Sequence, residues 1–212
     1  MALKIYEIFY SLQGESSRIG LPTVFVRLTG CPMRCSYCDT AYAFSGGSNM
    51  SVEEIIAKVA DYDTKFVTVT GGEPLAQKEC YQLLEALCDA GYSVSLETGG
   101  GINIAHVDKR VSVIMDIKTP DSNEESNMRW SNLDHLQSKD EIKFVICGRS
   151  DYEWAKTKVK ELELEKRCPI IFSPSYSELK STDLAAWVLA DQLPVRVQVQ
   201  LHKILWGEKA GV

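Results

Sequence analysis

Seven short apolar segments recur along the chain and are separated by stretches that have a helical spacing of apolar residues. They are 4 to 8 residues long and rich in Val, Ile and Phe, which favours strands over helices. The predicted strands span residues 23–29, 65–70, 92–97, 111–118, 141–147, 169–172 and 195–201.

Helices are predicted between several of these strands. The first, 51–62, opens with Ser51 and Glu54, three residues apart, which is a capping-box pattern. A second spans 76–90 and stops at Gly91, and apolar residues at three- and four-residue spacing predict two more. These last two span residues 151–166 and 181–191.

Strands that alternate with helices predict an α/β fold with a mostly parallel sheet covered by helices. Six or seven strands are too few for a closed eight-stranded barrel, so we expect an incomplete (partial) β/α barrel. In such folds the site lies in the loops that follow the carboxyl ends of the strands. Residues 1–212 are expected to form one domain. The polar stretch 119–140 is expected to be a surface insert or a short helical excursion.

Composition and charge exclude several classes of function. The chain has 212 residues, of which 45% are hydrophobic and 25% charged, as in ordinary globular proteins. Its net charge of −6 argues against a protein that coats nucleic acid. Lys4 and Glu7 interrupt the N-terminal apolar stretch, and no run approaches the ~20 apolar residues of a membrane span. We therefore expect a cytoplasmic protein that binds neither nucleic acid nor membrane.

Three closely spaced cysteines are the strongest chemical signal. Cys31, Cys35 and Cys38 follow the first predicted strand, with three and then two residues between them. One tight loop can therefore place three thiolates around a single metal site, and soft thiolates favour zinc or an iron–sulfur cluster. Structural zinc takes four ligands, and the next Cys or His is the distant Cys80. A four-iron cluster held by three cysteines keeps one iron open for a ligand, although zinc or three incidental thiols stay open as alternatives. The other four cysteines are interpreted as small buried hydrophobes.

The triplet, with Tyr37 before its last cysteine, resembles the signature of the radical S-adenosyl-L-methionine (SAM) enzymes. The turn Thr70–Pro74 (TGGEP), directly after a predicted strand, resembles their glycine-rich SAM-binding motif. Glycines there permit a close approach of the backbone, and Glu73 with backbone carbonyls can meet the ammonium of a bound amino acid. The resemblance implies a [4Fe-4S] cluster on the three cysteines and a partial barrel of the radical SAM type.

Further motifs resemble one family among these enzymes, the 7-carboxy-7-deazaguanine synthases. They are Tyr10–Glu15 (YSLQGE), Arg27, the CDT at 38–40 and Gln200–Gly207 (QLHKILWG). The resemblance runs through nearly the whole chain, which has the short form of the cysteine loop. It implies a lyase that converts 6-carboxy-5,6,7,8-tetrahydropterin into 7-carboxy-7-deazaguanine, on the route to queuosine and other 7-deazapurines. It also implies hydrogen abstraction from C6, ring contraction with loss of ammonia, and regeneration of SAM.

The resemblance also implies which residues bind the ligands. It further implies a mechanism in which no side chain is needed as a strong acid or base. One position, Thr40, would bind Mg²⁺. The expected SAM contacts are Tyr37, Cys38, Asp39, Gly72, Glu73, Asp116, Ile117, Lys118, Ser173 and Tyr176. The expected substrate contacts are Leu12, Gln13, Gly14, Glu15, Arg27, Thr70, His202 and the C-terminal Val212. Two of these matches are poorer: only Lys118 of 116–118 agrees with the family, and for His202 the alternative is a purely structural role at a strand end.

The chemistry of several of these side chains suits the substrate-binding roles expected of them. Glu15 and the amide of Gln13 can pair with the amidine-like donor edge of a pterin, and Arg27 can grip a carboxylate with two hydrogen bonds. For Arg27, an outward-facing surface ion pair is the alternative, since strand alternation can point it either way.

Two other functions remain open at this stage. A glycyl-radical-enzyme activase shares the cysteine spacing, but it has no need of the YSLQGE, CDT or LHKILWG motifs. A non-catalytic iron–sulfur or zinc module would need a fourth ligand, such as Cys80, Cys147 or Cys168. The resemblance further implies a small-molecule pterin substrate, a homodimer, and an electron donor such as flavodoxin or ferredoxin.

Overall fold

A computed structural model describes residues 2–212 and contains nine strands and five α-helices. The strands are β1 (Ala2–Leu12), β2 (Pro22–Leu28), β3 (Ser48–Ser51), β4 (Phe66–Gly71), β5 (Ser93–Thr98), β6 (Ser112–Ile117), β7 (Glu141–Ile146), β8 (Ile170–Pro174) and β9 (Arg196–Val197). The helices are α1 (Val52–Val59), α2 (Cys80–Asp89), α3 (Arg149–Glu161), α4 (Ser181–Asp191) and α5 (Leu201–Trp206). All four predicted helices are present: α4 has the predicted ends, and the other three are shorter or shifted. None of the helices within residues 2–212 has the length and apolarity to cross a membrane.

All nine strands form one sheet in the order β3-β1-β2-β4-β5-β6-β7-β8-β9. Every pairing from β2 to β9 is parallel, and β1 pairs antiparallel with both β2 and β3. The α/β class, the mostly parallel sheet and the incomplete barrel are confirmed. The expected number of six or seven strands was too low, because β1 and the short polar β3 were missed.

The two faces of the parallel strands differ in polarity. On one face, side chains such as Val69, Leu96 and Phe144 join the apolar core with residues of the helices. The other face carries mostly charged side chains near the carboxyl ends of the strands. They are Arg27 of β2, Thr70 of β4, Glu97 of β5, Asp116 of β6 and Lys143 of β7. Parallel strands buried on both faces are normally apolar throughout, so these side chains mark the functional face.

The predicted capping box of α1 is present. The Oγ atom of Ser51 accepts a hydrogen bond from the backbone N–H of Glu54 (3.2 Å), and the Glu54 carboxylate accepts one from the N–H of Ser51 (2.7 Å). Two otherwise unpaired donors at the start of the helix are thereby satisfied.

The strand predicted over 195–201 was wrong for most of its length. Only Arg196 and Val197 pair with β8. The buried side chain of Gln198, which follows them, binds Ser16 in the loop after β1. Its amide oxygen accepts from the N–H of Ser16 (2.6 Å), and its amide nitrogen donates to the Ser16 carbonyl (2.9 Å). The chain then turns into α5, and the N–H of Leu201 donates to the carbonyl of Gly14 (3.0 Å). The loop after β1 and the segment after β9 are thus joined through side-chain and loop contacts. His202 consequently lies in α5 and not at the end of a strand.

The stretch 119–140 contains three short 3-10 helices, so the expected helical excursion is present. The stretch is not a surface insert. They span Pro120–Ser122, Glu125–Asn127 and Trp130–His135. Thr119, Ser122 and Asn132 are fully buried. The side-chain amide of Asn132 donates to the carbonyls of Gly100 (2.9 Å) and Ile102 (2.8 Å), and so ties this stretch to the loop after β5.

Candidate active site

A cavity of about 480 Å³ opens over the polar face of the sheet, bounded by the cysteine loop and by the C-terminal segment. All eight predicted substrate-binding residues line it: Leu12, Gln13, Gly14, Glu15, Arg27, Thr70, His202 and Val212. So do the three cysteines and Thr40. Of the predicted SAM contacts, those at the wall are Tyr37, Cys38, Asp39, Gly72, Glu73, Asp116, Lys118 and Tyr176. Residues that are up to 200 positions apart in sequence therefore meet in one chamber.

Two predicted SAM contacts are not part of the cavity wall. The side chain of Ile117 is fully buried in the apolar core, so only its backbone is available for such a contact. Ser173 faces the polar side of the sheet, and its buried hydroxyl has no hydrogen-bond partner among the described residues. The wall is formed instead by the residues just after it, from Ser175 to Glu178.

The cysteine loop begins where β2 ends, at Gly30, whose φ of +97° favours glycine. Cys31, Cys35 and Cys38 are all half-buried, and none forms a disulfide. Arg34 folds back over the loop and donates to the carbonyls of Cys31 (2.7 Å) and Met33 (2.6 Å). Burial raises the pKa of Cys31, and it raises that of Cys35 to about 11. Metal binding to these thiols would therefore release protons. Three soft donors on one backbone-supported loop fit a cluster that has one open iron.

The glycine-rich turn after β4 packs directly on the cysteine loop. A β-carbon at Gly72 would lie 2.3 Å from the carbonyl oxygen of Gly30 and 2.6 Å from Cβ of Cys31. The N–H of Glu73 donates to the same Gly30 carbonyl (2.8 Å). The Glu73 carboxylate accepts hydrogen bonds from Thr98 and from the N–H of Gly99, and burial raises its pKa. Glu73 therefore joins the loops after β4 and β5 at the edge of the cavity.

Unpartnered polar atoms lie close to the cysteine loop. The Lys118 ammonium donates to one carboxylate oxygen of Asp116 (3.0 Å) and stands over the ring of Tyr37. Burial opposes the charge, yet the Asp116 carboxylate raises the pKa of Lys118, so this lysine is charged. Within residues 2–212, the other Asp116 oxygen and the Tyr37 hydroxyl are buried without a hydrogen-bond partner. A polar ligand with donor and acceptor groups, such as the amino-acid part of SAM, fits this end of the cavity.

A hydrogen-bonded acidic cluster forms an adjoining part of the cavity wall, since Lys143 of β7 pairs in register with Asp116 of β6. Glu15 accepts hydrogen bonds from the ammonium of Lys143 and from the side-chain amide of Gln200 (2.8 Å). Glu97 accepts from the Gln13 amide (3.2 Å) and the Thr70 hydroxyl (2.9 Å).

The pKa values of the two carboxyl groups in this cluster are shifted in opposite directions. Burial tends to raise the pKa of Glu15, but the charge and hydrogen bond of Lys143 bring it below its ordinary value. Burial raises the pKa of Glu97, and the negative Glu15 raises it further. One carboxylate is thus held ionised beside a second that takes up a proton more readily.

Sequence reasoning missed Glu97 and Lys143. Their signal is the alternation of the strands: in SVSLET and EIKFVI, the residues in phase with Val94 and Ile142 pack on the helices. Glu97 and Lys143 are out of that phase, on the face that a parallel strand would otherwise fill with apolar side chains.

The C-terminal segment forms part of the cavity wall through His202, Lys203 and Val212. His202 of α5 packs on Gly14, and Lys203 lies 3.6 Å from the carboxylate of Asp39 in the cysteine loop. Burial lowers the pKa of His202. Contacts of α5 with both the loop after β1 and the cysteine loop give His202 a defined place in the wall.

Gly14→Ala is expected to displace α5 and reduce turnover about tenfold or more, because a misplaced wall residue has effects of this order. The new β-carbon would lie 2.0 Å from Nδ1 of His202, at a site fixed by the hydrogen bond from Leu201. Iron content should stay at the wild-type level, which is measurable on the same samples. Wild-type turnover in this variant would contradict the close packing of α5 on Gly14.

Comparison with known proteins shows the superfamily to which the chain belongs. The family model of the Radical SAM superfamily matches residues 25–162, which include the cysteine loop and strands β4 to β7. Streptococcus suis SuiB bound to S-adenosylmethionine shares the fold at 14% identity, with a TM-score of 0.56 over 81% of this chain and 45% of that one. The chain is therefore a radical SAM protein, and a [4Fe-4S] cluster and SAM are its cofactors.

Closer relatives narrow the class to one family. A 7-carboxy-7-deazaguanine synthase from Chlorobaculum tepidum is 45% identical over 98% of this chain and 96% of its own length. One from Koribacter versatilis is 44% identical over 99% and 100%, respectively. The crystal structure of QueE from Escherichia coli superposes with a TM-score of 0.79, at 25% identity over 95% of both chains. The chain belongs to the 7-carboxy-7-deazaguanine synthase family.

Proposed function

We propose that this protein converts 6-carboxy-5,6,7,8-tetrahydropterin into 7-carboxy-7-deazaguanine with loss of ammonia. The observation that carries the proposal is one cavity that joins the three-cysteine loop to an acidic cluster suited to a pterin edge. Family membership supports the same reaction. A glycyl-radical-enzyme activase or a non-catalytic iron–sulfur module gives no reason for this cluster.

The cofactors and the substrate would occupy adjoining parts of the cavity. Cys31, Cys35 and Cys38 would hold the cluster, and Gly72, Asp116 and Lys118 would hold SAM. When bound, the cluster and SAM supply the one-electron chemistry that begins the reaction. The chain's own contribution is to bind both ligands, fix their relative orientation and exclude water through α5.

The acidic cluster would recognise the pterin ring. Glu15 and the side-chain carbonyl oxygen of Gln13 would accept hydrogen bonds from its amidine-like donor edge, as the motif comparison predicts. Glu97, which already accepts from Gln13 and Thr70, adds a further acceptor at the same end. Lys143 keeps Glu15 ionised, so that carboxylate remains an acceptor for ring N–H groups. His202 would face the ring from α5.

We also propose that Thr40 ligates Mg²⁺ through its hydroxyl. Thr40 lines the cavity, and its Oγ1 lies 3.8 Å from Sγ of Cys38. Within residues 2–212, no group of three or more His, Cys, Asp or Glu side chains is placed to hold a single metal ion, as distinct from a cluster in which each of the three cysteines would bind a different iron. The ion would accordingly draw its other oxygen ligands from substrate and water, as Mg²⁺ commonly does.

Residues 1–212 are proposed to act as one domain, which the continuous nine-stranded sheet supports. The protein is further proposed to act as a homodimer in the cytoplasm and to receive its electron from a flavodoxin or ferredoxin. Light scattering of the protein with its cluster tests the dimer, and turnover with each reduced donor in place of a chemical reductant tests the electron source.

The central experiment is an anaerobic assay of the reconstituted protein. After its iron content is confirmed, it is incubated with SAM, Mg²⁺, a reductant and 6-carboxy-5,6,7,8-tetrahydropterin, and products are identified by mass spectrometry. We expect 7-carboxy-7-deazaguanine without stoichiometric loss of SAM. Cleavage of SAM with no such product would leave a radical SAM enzyme and refute the proposed substrate. No reaction from a protein with a full cluster would favour a binding module.

A further inference from the structure

The guanidinium of Arg27 is held in a single orientation at the wall of the cavity. Its central carbon lies 5.7 Å from the ring centroid of Phe9 and 5.8 Å from that of Tyr42. Its Nε–H donates to Oε1 of Glu7 (2.8 Å), and the side chain is only 12% exposed. Among residues 2–212, this is its one hydrogen bond to protein, so the two terminal nitrogens are free of protein acceptors.

Glu7 is itself fixed from two sides. Its Oε1 also accepts a hydrogen bond from the hydroxyl of Tyr42 (3.1 Å). Its Oε2 faces the C-terminal segment, where a β-carbon at Gly211 would lie 3.2 Å away. The carboxylate is therefore tied to both Arg27 and Tyr42 by hydrogen bonds and lies beside the C-terminal segment, which places Val212 in the cavity wall.

We propose that Glu7, steadied by Tyr42, is a positioning residue that makes Arg27 selective for a carboxylated substrate. The inference rests on the proposed function and concerns the 6-carboxylate of the pterin. Glu7 would set the direction of the Arg27 guanidinium and would not touch the substrate.

Guanidinium geometry explains why Nε matters. A carboxylate can bind this group with two hydrogen bonds along the side edge, which includes Nε, or along the end formed by the two terminal nitrogens. Because Glu7 occupies Nε, only the end remains, and the flanking rings hold the plane of the group. A preoriented fork loses less conformational entropy when it binds than a freely rotating side chain does.

The test compares two ligands on variants of the reconstituted enzyme. KM and kcat are measured for 6-carboxy-5,6,7,8-tetrahydropterin, and 5,6,7,8-tetrahydropterin, which lacks the carboxylate, is measured as a competitive inhibitor. For Glu7→Ala we expect KM to rise about tenfold, because a charge-assisted bond that orients Arg27 is lost. We expect kcat and the inhibition constant of the analogue to stay within about twofold. Glu7→Gln, which retains an acceptor for Nε, should recover most of the lost affinity, and Tyr42→Phe should show a smaller rise in KM.

Controls separate positioning from a merely structural role. Glu85→Ala, at an exposed site on α2, should behave as wild type. If Glu7 acts through Arg27, Glu7→Ala should have little further effect on KM in an Arg27→Ala background. Equal weakening of both ligands, a fall in iron content, or additive effects with Arg27→Ala would overturn the inference. A wild-type enzyme that makes no product from the carboxylated pterin would instead refute the proposed function, and this inference with it.

Discussion

Replacement of Cys35 by serine is expected to abolish product formation and to remove most of the bound iron. A serine hydroxyl is a hard, weakly acidic donor, whereas iron in such clusters is held by soft thiolates. Two remaining cysteines on one loop cannot take over, because the loop is fixed by Arg34 and by its packing on Gly72. Cys31→Ser and Cys38→Ser should give the same result. Iron and sulfide content, the visible absorption of the cluster and product formation measure the effect.

Cys147 provides the matched control for this series. It is a half-buried free cysteine just after β7, and its N–H donates to the carboxylate of Asp151 (3.1 Å). Because it lies outside the loop that carries the other three, Cys147→Ala should retain full iron and substantial activity. Loss of iron from Cys147→Ala to the same degree as from Cys35→Ser would indicate a fourth ligand and would contradict an open iron.

The parallel core of the fold could be predicted from sequence because its strands bury both faces. Six of the seven predicted strands are present within a few residues of their expected ends. β1 was missed for an identifiable reason. Its register with β2 shifts between Ile5 and Glu7, and residues 6 to 9 are all half-buried, so the alternation of buried and exposed positions is lost along the strand. The four-residue β3 is polar and pairs only with β1, so it carries no apolar pattern at all.

The opposite error occurred at the C-terminus, where the alternation is regular but no long strand forms. Val195, Val197 and Val199 repeat at every second position, as in a half-buried strand. The partner that decides the outcome is a loop near the N-terminus: Gln198 binds both backbone groups of Ser16, more than 180 residues away. Local patterning contains no information about such a distant partner.

The site was predictable where motifs fix several neighbouring residues together. The cysteine loop, the glycine-rich turn and the segment after β1 all reach the cavity, and the inward direction of Arg27 agrees with its predicted role. Glu97 and Lys143 belong to no motif. They can be recognised only once the phase of each strand relative to its helix is known, and a single charged residue in a short segment does not reveal that phase.

Replacement of Lys143 by methionine is expected to produce the largest effect on both stability and turnover among the cavity variants outside the cysteine loop. The change removes the cation that pairs with Glu15 and leaves a buried carboxylate without a counter-ion, held only by the Gln200 amide. Breaking a buried pair in this way costs about 3 to 5 kcal/mol of folding free energy at neutral pH. For a chain of this size, Tm should fall by roughly 10 °C. Product formation should fall at least about a hundredfold, because the acidic cluster no longer holds its geometry. Chemical denaturation and the anaerobic assay measure the two effects.

The pH dependence distinguishes the charge from simple loss of packing. In the wild type the native pKa of Glu15 is depressed, so the pair stabilises the fold above the ordinary glutamate pKa and is lost as pH falls through the native value. In Lys143→Met, burial raises the pKa of Glu15, so the variant is most destabilised at neutral pH and the difference from wild type shrinks as pH falls. The double variant Lys143→Met/Glu15→Gln should therefore recover much of the stability at pH 7 but not the activity. A stability difference that is the same at pH 7 and pH 5 would show that Lys143 contributes through packing and not through its charge. In that case Glu15 would have no electrostatic dependence on Lys143, and its ionised state in the pterin end of the cavity would need another source.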